Sequence, residues 1–386
     1  MRAFDRSGCA ALVLGALLVS GGAAQAFQDP TQVPAAKSEK MLMSPMTAVV
    51  NIGARTVAVG QRGHIALSDD GGRNWRQAQV PVSSDLVAVS FPTEQHGWAV
   101  GHGGVVLHSP DGGETWEKQM DGAEATRLIL DYYGNGAGAK REDAAVYLER
   151  ENILTSYGGT QPVMAVHFID DKVGFIGGLF NRLFRTVDGG KTWEPWQHRI
   201  DNPGELHFYA ITADAAAVYV TGEMGMVWRK RHDEQHFSET PTGYDGTLFG
   251  VLSTGDALLA FGMRGSLYRS ANAGADWQRV DLGTQAGITS GAVLPNGAVL
   301  LGSLSGDVAR SSDGGRSFEP VTLKRSMPFF GLAARPDGQL TLVGAAGVQH
   351  EAVTLPVGGQ ARPSALVKNA NLGTGIQRES SHGYVN

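Results

Sequence analysis

A chain of 386 residues with 53 glycines and only 18% charged residues carries roughly twice the ~7% glycine of an average protein and less than the usual ~25% charge, a balance suited to short strands joined by tight turns. Its formal net charge of −6 excludes a general nucleic-acid binder, whose footprint is a basic face. A single cysteine, Cys9, excludes a disulfide framework.

In chain order, the first feature is an address. Met1, Arg2 and Arg6 form a short basic region, residues 9–19 are apolar, and Ala24-Gln25-Ala26 has the small-x-small form of a cleavage site. Residues 1–26 therefore read as a signal peptide cut after Ala26. A retained anchor is the weaker reading, because an apolar run of about eleven residues falls short of the ~20 that span a bilayer. Cys9 lies inside this segment and is poorly placed for lipidation, since Arg6 stands three residues before it and the apolar run follows it. No later stretch reads as a transmembrane helix. The expectation is an exported protein of the periplasm or a lumen-like compartment, soluble after cleavage, with residues 27–46 as an N-terminal segment.

From residue 47 to about 351 one pattern repeats. Its clearest part is a turn: Ser68-Asp69-Asp70-Gly71-Gly72-Arg73-Asn74-Trp75, Ser109-Pro110-Asp111-Gly112-Gly113-Glu114-Thr115-Trp116, and Thr186-Val187-Asp188-Gly189-Gly190-Lys191-Thr192-Trp193. Two more are Ser270-Ala271-Asn272-Ala273-Gly274-Ala275-Asp276-Trp277 and Ser311-Ser312-Asp313-Gly314-Gly315-Arg316-Ser317-Phe318. A sixth copy, around residues 228–237, keeps the strand pattern but has Arg231-His232-Asp233-Glu234 where the Asp-Gly-Gly should stand. The closing aromatics at 75, 116, 193, 237, 277 and 318 are spaced by 41, 77, 44, 40 and 41 residues. Periods of about 40–45 with strand-type units mean propeller blades.

Seven residues before each Asp position a Gly-x-x-Gly-like turn closes, at 60–63, 101–104, 178–181, 222–225, 262–265, 303–306 and, in a last unit without an Asp turn, 344–347. Short alternating segments such as 86–91, 97–100, 105–108 and 116–119 supply four strands per unit. The predicted fold class is all-β, a seven-bladed β-propeller over 47–355 that manages strand edges by radial repetition. Its blades fall near 47–80, 85–120, 162–197, 205–240, 246–281, 287–322 and 328–355. The last blade takes its fourth strand either from 352–355 or from an N-terminal segment near 32–35. Residues 356–386 turn polar and read as a loose tail.

The Asp turn recurs for a reason. An Asp or Asn side chain accepts hydrogen bonds from nearby backbone N–H groups while the following glycines take left-handed positions. A residue repeated in every unit serves the fold rather than metal binding or acid catalysis, so Asp70, Trp75, Asp111, Trp116, Asp188, Trp193, Asn272, Trp277, Asp313 and Phe318 are read as structural. The long step of 77 residues holds an insertion at 121–160. Its segments 125–133 and 142–150 have helical spacing, and the glycines between 134 and 138 separate them, so a small helical hairpin is expected between blades 2 and 3.

In an up-and-down blade that connection lies on the same side as the Gly-x-x-Gly turns, with the Asp turns opposite. Gln61, Arg62, His102, Phe180, Arg182, Glu223, Met224, Met263 and Arg264 are thereby offered on one face, a mixture of cations and apolar groups that suits protein contact. Arg62, His102, Phe180, Arg182, Met224 and Arg264 are the partner-binding candidates. A second column, Leu67, His108, Arg185, Arg229, Arg269 and Arg310, reads as caps on the adjacent Asp turns or as partners of carboxylates at the blade edge. The competing class is a glycoside hydrolase: a sialidase would need an arginine cluster, a Tyr activated by a Glu and an acid Asp on the axis, and most other glycosidases two carboxylates about 5–10 Å apart. Only Glu223 is acidic in the Gly turns, and Glu205, Asp245 and Asp256 read as solvated loop acids. Gly302-Ser303-Leu304-Ser305-Gly306 matches a nucleophile-elbow spacing but falls in a strand-to-strand turn. No metal site, cofactor or catalytic residue is predicted.

The turn resembles the Asp-box of bacterial neuraminidase repeats, a motif shared by sialidases and many non-enzymes. The fuller unit over residues 97–116, Gly-Trp-Ala-Val-Gly-x-x-Gly followed by Ser-x-Asp-Gly-Gly-x-Thr-Trp, resembles the photosystem II stability and assembly factor family, over roughly residues 47–351. That resemblance implies a non-enzymatic, exported seven-bladed propeller. It also implies an assembly or accessory role toward a protein partner, an inner-membrane complex, with arginines of one face in binding; Arg62, Arg182 and Arg264 are the positions it points to. The helical insertion and the altered fourth Asp turn depart from the simplest family pattern.

Overall fold

The computed structural model describes residues 28–156, 158 and 160–353; the expected signal peptide with Cys9, and the expected tail at 356–386, lie outside the described residues. Seven antiparallel sheets form the blades, each with its strands in sequence order, six of four strands and the seventh of three among the described residues. The inner strands are Met46–Ile52, Leu86–Ser90, Val163–Phe168, Phe208–Ala213, Leu248–Ser253, Ile288–Val293 and Phe329–Ala334. Each contacts the inner strand of the next blade, and the last contacts the first, so the ring is closed.

Closure does not use the expected fourth strand from residues 32–35. Ala35 donates its N–H to Val80 O (3.0 Å) and Ser83 donates to Pro30 O (2.8 Å), so this segment runs beside the connection between blades 1 and 2. Side chains seal the seam instead. Arg335, which follows the inner strand of blade 7, donates to Gly53 O (3.1 Å), Ala54 O (2.6 Å) and Thr56 Oγ1 (3.0 Å), and Asn51 Nδ2 donates to Ala334 O (3.2 Å).

The Asp turns are built from the sequence upward. In blade 2, Ser109 Oγ accepts from Gly113 N–H (2.8 Å) and donates to Asp111 Oδ1 (2.9 Å), while Asp111 takes Thr115 N–H (2.9 Å) and Thr115 Oγ1–H (2.6 Å). Blades 3 and 6 repeat this pattern through Asp188 and Asp313, blade 1 puts Asn74 in place of the hydroxyl residue, and blade 5 pairs Asn272 with Asp276. Trp116 and Trp193 are buried, whereas Trp75, Trp277 and Phe318 are half-buried. Four of these turns are also bound from the preceding blade through the carbonyl of the first glycine position: Gly112 O by Arg55 (2.9 Å), Gly189 O by Gln119 (2.9 Å), Ala273 O by Arg229 (3.0 Å) and Gly314 O by Arg269 (2.8 Å).

The insertion is a helical hairpin, α1 at Gly122–Gly134 and α2 at Ala144–Ser156. Asp121 caps α1 by accepting from the N–H groups of Ala123 and Glu124 (3.2 Å each), the usual device for the unpaired donors of a first turn. Ala125, Ile129 and Tyr133, spaced by four, bury one stripe of α1 in a core shared with Trp98, Val163 and Phe184.

At the Gly turns, glycine is required by contact as well as by dihedral. A Cβ on Gly265 (φ +66°) would lie 2.0 Å from Thr284 O. Gly265→Ala is expected to cost at least the ~1–3 kcal/mol of a strained residue, measured as a lowered urea midpoint. The Asp turns give a second expectation. Hydrogen bonds from the backbone and side chain of Asn74 hold Asp70 down at about 2. Asp313 is also low, because its hydrogen bonds from Ser317, Ser311 and Arg316 outweigh the opposing cost of burial. A carboxylate depressed in the folded state stabilises it above the ordinary value near 4 and ceases to as pH falls through its folded value. Thermal melts are expected to hold steady down to about pH 4 and fall towards pH 2, with Asp313→Asn showing a smaller fall.

Candidate partner-binding face

The Gly-x-x-Gly turns and the helical hairpin share one side of the ring. Residue by residue, the turn dictates what is displayed. In five of the seven turns the third position adopts a left-handed conformation, and in four of these the residue there is not glycine: Arg62 (φ +56°), Phe180 (φ +56°), Met224 (φ +54°) and Arg264 (φ +55°). Such a conformation costs an L-residue roughly 1–2 kcal/mol. The second position adds Gln61, His102, Met263 and Leu304, all exposed.

Arg62, His102, Met224 and Arg264 are exposed, and Met224 is 55% exposed, a large apolar side chain in water. Phe180 is half-buried, its ring set edge-on to His207 at 4.7 Å. Glu223 accepts from His207 N–H (2.9 Å). On α2, Val146 and Ile153 are 54% and 51% exposed and lie seven residues apart, on one helix face.

Arg182 departs from the reading as a displayed cation. It is 6% exposed, because α2 covers it and Glu151, itself 2% exposed, pairs with it. Arg182 also donates to Thr126 Oγ1 (3.0 Å) on α1. Burial pulls this guanidinium below its ordinary value and Glu151 opposes that; at neutral pH it stays charged. It fastens the hairpin to blade 3, and the Arg150–Glu205 ion pair ties α2 to the start of blade 4. Sequence reasoning ranked Arg182 by its place in the repeat and had no means of seeing the helix above it.

A further set was missed altogether. At the same end of every inner strand the pairing skips one residue, a β-bulge: Thr47, Val87, Met164, Tyr209, Phe249, Thr289 and Phe330. A bulge re-aims the unpaired residue, and these seven are all half-buried around the axis at the Gly-turn end. The two threonines hydrogen-bond across to Leu86 O and Phe329 O of the next blade. The other five are apolar or aromatic, with Tyr209 edge-on to Phe249 at 5.9 Å. Their sequence signal is one weakly patterned residue near each strand start.

The second column divides between capping Asp turns, pairing with carboxylates and other contacts. Arg229 and Arg269 reach the Asp turns of the next blades, while Arg185 lies over the Trp196 ring at 4.9 Å and His108 meets Glu117 at 3.0 Å. Of the acids weighed for hydrolysis, Glu205 is paired with Arg150, and Asp245 and Asp256 are exposed loop residues. Among the described residues no helix is long and apolar enough to cross a membrane.

Comparison with known proteins fits this architecture. The sequence model of the family described as photosynthesis system II assembly factor YCF48 matches residues 51–131 and 157–316. The gap falls within the helical insertion. The chain is 25% identical over 277 residues to the photosystem II assembly lipoprotein Ycf48 of Synechococcus sp. (strain CC9902), covering 68% of this chain and 70% of that protein. It is 38% identical over 72 residues to the chloroplastic photosystem II stability/assembly factor HCF136 of Cyanidioschyzon merolae, 17% of this chain and 16% of that one. Among solved structures, one described as YCF48 bound to D1 peptide superposes with a TM-score of 0.59 at 17% identity, covering 84% of this chain and 100% of that chain. A xyloglucanase of Xanthomonas campestris superposes with the same TM-score of 0.59 at 12% identity, over 85% of this chain and 55% of that one. At such identities the likeness is one of fold, and fold alone leaves function open.

The Arg182 pairing sets an expectation. Arg182→Ala strands a buried carboxylate, a loss of about 3–5 kcal/mol, and should loosen the hairpin so that trypsin cuts faster at Lys140 and Arg141. The double change Arg182→Met with Glu151→Leu should restore most of the resistance.

Proposed function

We propose that this chain, which belongs to the photosynthesis system II assembly factor YCF48 family, is an exported, non-enzymatic propeller that holds a segment of a membrane protein on its Gly-turn face while a membrane complex is assembled. The observation that carries this reading is the column of non-glycine residues held at positive φ, Arg62, Phe180, Met224 and Arg264. Glycine would relieve the strain at each position, and retained strain clusters where side chains are used. Two arginines beside methionines suit a segment with carboxylates and apolar side chains, because the guanidinium fork binds carboxylate and methionine adapts to irregular apolar surfaces. The half-buried ring of Val87, Met164, Tyr209, Phe249 and Phe330 offers an apolar seat at the centre.

Support from outside the chain is of the same kind. The relatives named above are assembly factors, and one solved relative is described with a bound peptide. An exported location is supported by the signal-like composition of residues 1–26. The engagement of Glu205 and Glu223 with their own neighbours supports a binding role over a hydrolytic one.

The test is a crosslinking pull-down from the native envelope, comparing wild type with an Arg62→Ala, Met224→Ala and Arg264→Ala triple variant; Arg182 is left intact because it anchors α2. The wild type should enrich one membrane complex and the variant should retain less than about a tenth of it. Equal retention by both proteins would remove the Gly-turn face from the mechanism and make a glycan-hydrolysis screen the next step.

A further inference from the structure

On the opposite side of the ring, where the Asp turns lie, the groove between blades 4 and 5 is open. It holds a cavity of about 420 Å³ between blades 4 and 5, within the ~300–1,000 Å³ range of small-ligand sites. Its origin can be read by comparing blades. Five residues before the first position of its Gly turn, blade 4 has Ala217, as blades 5 and 6 have Ala257 and Ala298, where blade 1 has Arg55 and blade 2 has His96; in blade 4 this small residue coincides with the altered Asp turn. Arg55 fills its groove, reaching Gly112 O (2.9 Å), Asp69 (2.6 Å) and Glu114 (3.0 Å). His96 stacks on His108 with ring centroids 5.4 Å apart. In blade 4, Ala215, Ala216 and Ala217 on one side and Ala273 of blade 5 on the other leave the space unfilled.

The altered Asp turn supplies the chemistry. Arg229 and Arg231 pair with Tyr219 and Ala217, so they alternate to the same face of the sheet, and both line the cavity with His232. Arg229 spends one donor on Ala273 O (3.0 Å) and has no carboxylate within ion-pair distance among the described residues. Arg231 holds Asp233 through Nε and Nη2 (3.1 Å each), leaving Nη1. His232 Nε2 lies 2.8 Å from Asp214 O; a carbonyl only accepts, so that nitrogen carries the proton and Nδ1 remains available. The lining therefore holds two guanidiniums and one carboxylate, Asp233, with Glu234 3.9 Å from Arg231 Nε at its margin.

We infer that this cleft binds a small organic carboxylate, of the size of an acidic monosaccharide, with Arg229 and Arg231 as its cationic anchors and the alanines as its apolar wall. Guanidinium–carboxylate pairs are short and directional, and the alanine wall leaves room for the body of the acid. The site lies on the side opposite the Gly turns, so its occupant and a partner on that face do not compete for space.

Isothermal titration of the full chain with glucuronate, glucose and sulfate tests this. Glucuronate should bind saturably, glucose should give no saturable heat, and sulfate should fail to displace glucuronate at equal concentration. Arg231→Gln, which removes an exposed cation, and Ala216→Phe, which fills the cleft from its rim, should each weaken glucuronate at least tenfold with the thermal midpoint unchanged. Absence of saturable glucuronate binding, equal binding of glucose, full displacement by sulfate, or wild-type affinity in both variants would overturn the assignment.

Discussion

At four interfaces blade is pinned to blade through one recurring main-chain carbonyl, that of the first glycine position in an Asp turn. The turn's own side chains consume its N–H groups, and the left-handed backbone sends this carbonyl outward, where the neighbouring blade must supply a donor. Arg55, Gln119, Arg229 and Arg269 do so at four of the interfaces. A hydrogen bond from a charged donor contributes about 1.5–3 kcal/mol and one from the neutral amide of Gln119 about 0.5–1.5 kcal/mol, and each also fixes the rotation of one blade on the next. At the seam the same logic recurs with the partners changed: Arg335 reaches the carbonyls of Gly53 and Ala54.

That arrangement divides labour between the two sides of the ring. The Asp-turn side is tied by hydrogen bonds from neighbour to neighbour, and its side chains are largely spent on holding the fold. The Gly-turn side is set by backbone crossings close enough that a Cβ on the closing glycine would strike a carbonyl, as at Gly265 and Gly347. Those contacts fix the backbone without engaging the side chain one position earlier. Arg62, Met224 and Arg264 are therefore free to be displayed, and their strain is carried by a scaffold stable enough to tolerate it.

Blade 4 shows the consequence of a changed repeat. With Lys230 at the Ser/Thr position and His232 at the Asp position, the turn is held instead by Arg231 with Asp233 and Glu234. The strand pairing survives because Trp228 and Phe237 remain fully buried, so the loss is confined to the loop. The space that the loop no longer fills becomes a cleft lined by cations. The same chain thus uses one repeat position for architecture in most blades and exposes it as chemistry in one.

The blade count, the four-strand units, the Asp-turn bonding and the helical hairpin were legible in the sequence, because each rests on short-range patterns of period two, period 3.6, or a turn residue at a fixed offset. The partition of turns between the two faces followed from the same strand alternation. Arg182 shows where that reasoning stops: its repeat position predicts display, and α2 buries it against Glu151, a contact set by where an inserted segment lands. The seam is another such case, since Arg335 meets Gly53 across more than 280 residues, as are the cleft beside Ala217 and the ring of bulged residues around the axis. The sequence by itself determined the repeating unit and its local hydrogen bonds, which depend on neighbours a few residues away. Only the tertiary structure decided which side chains are covered, which grooves stay open and how the ring closes, because those depend on volumes and partners brought together from distant parts of the chain.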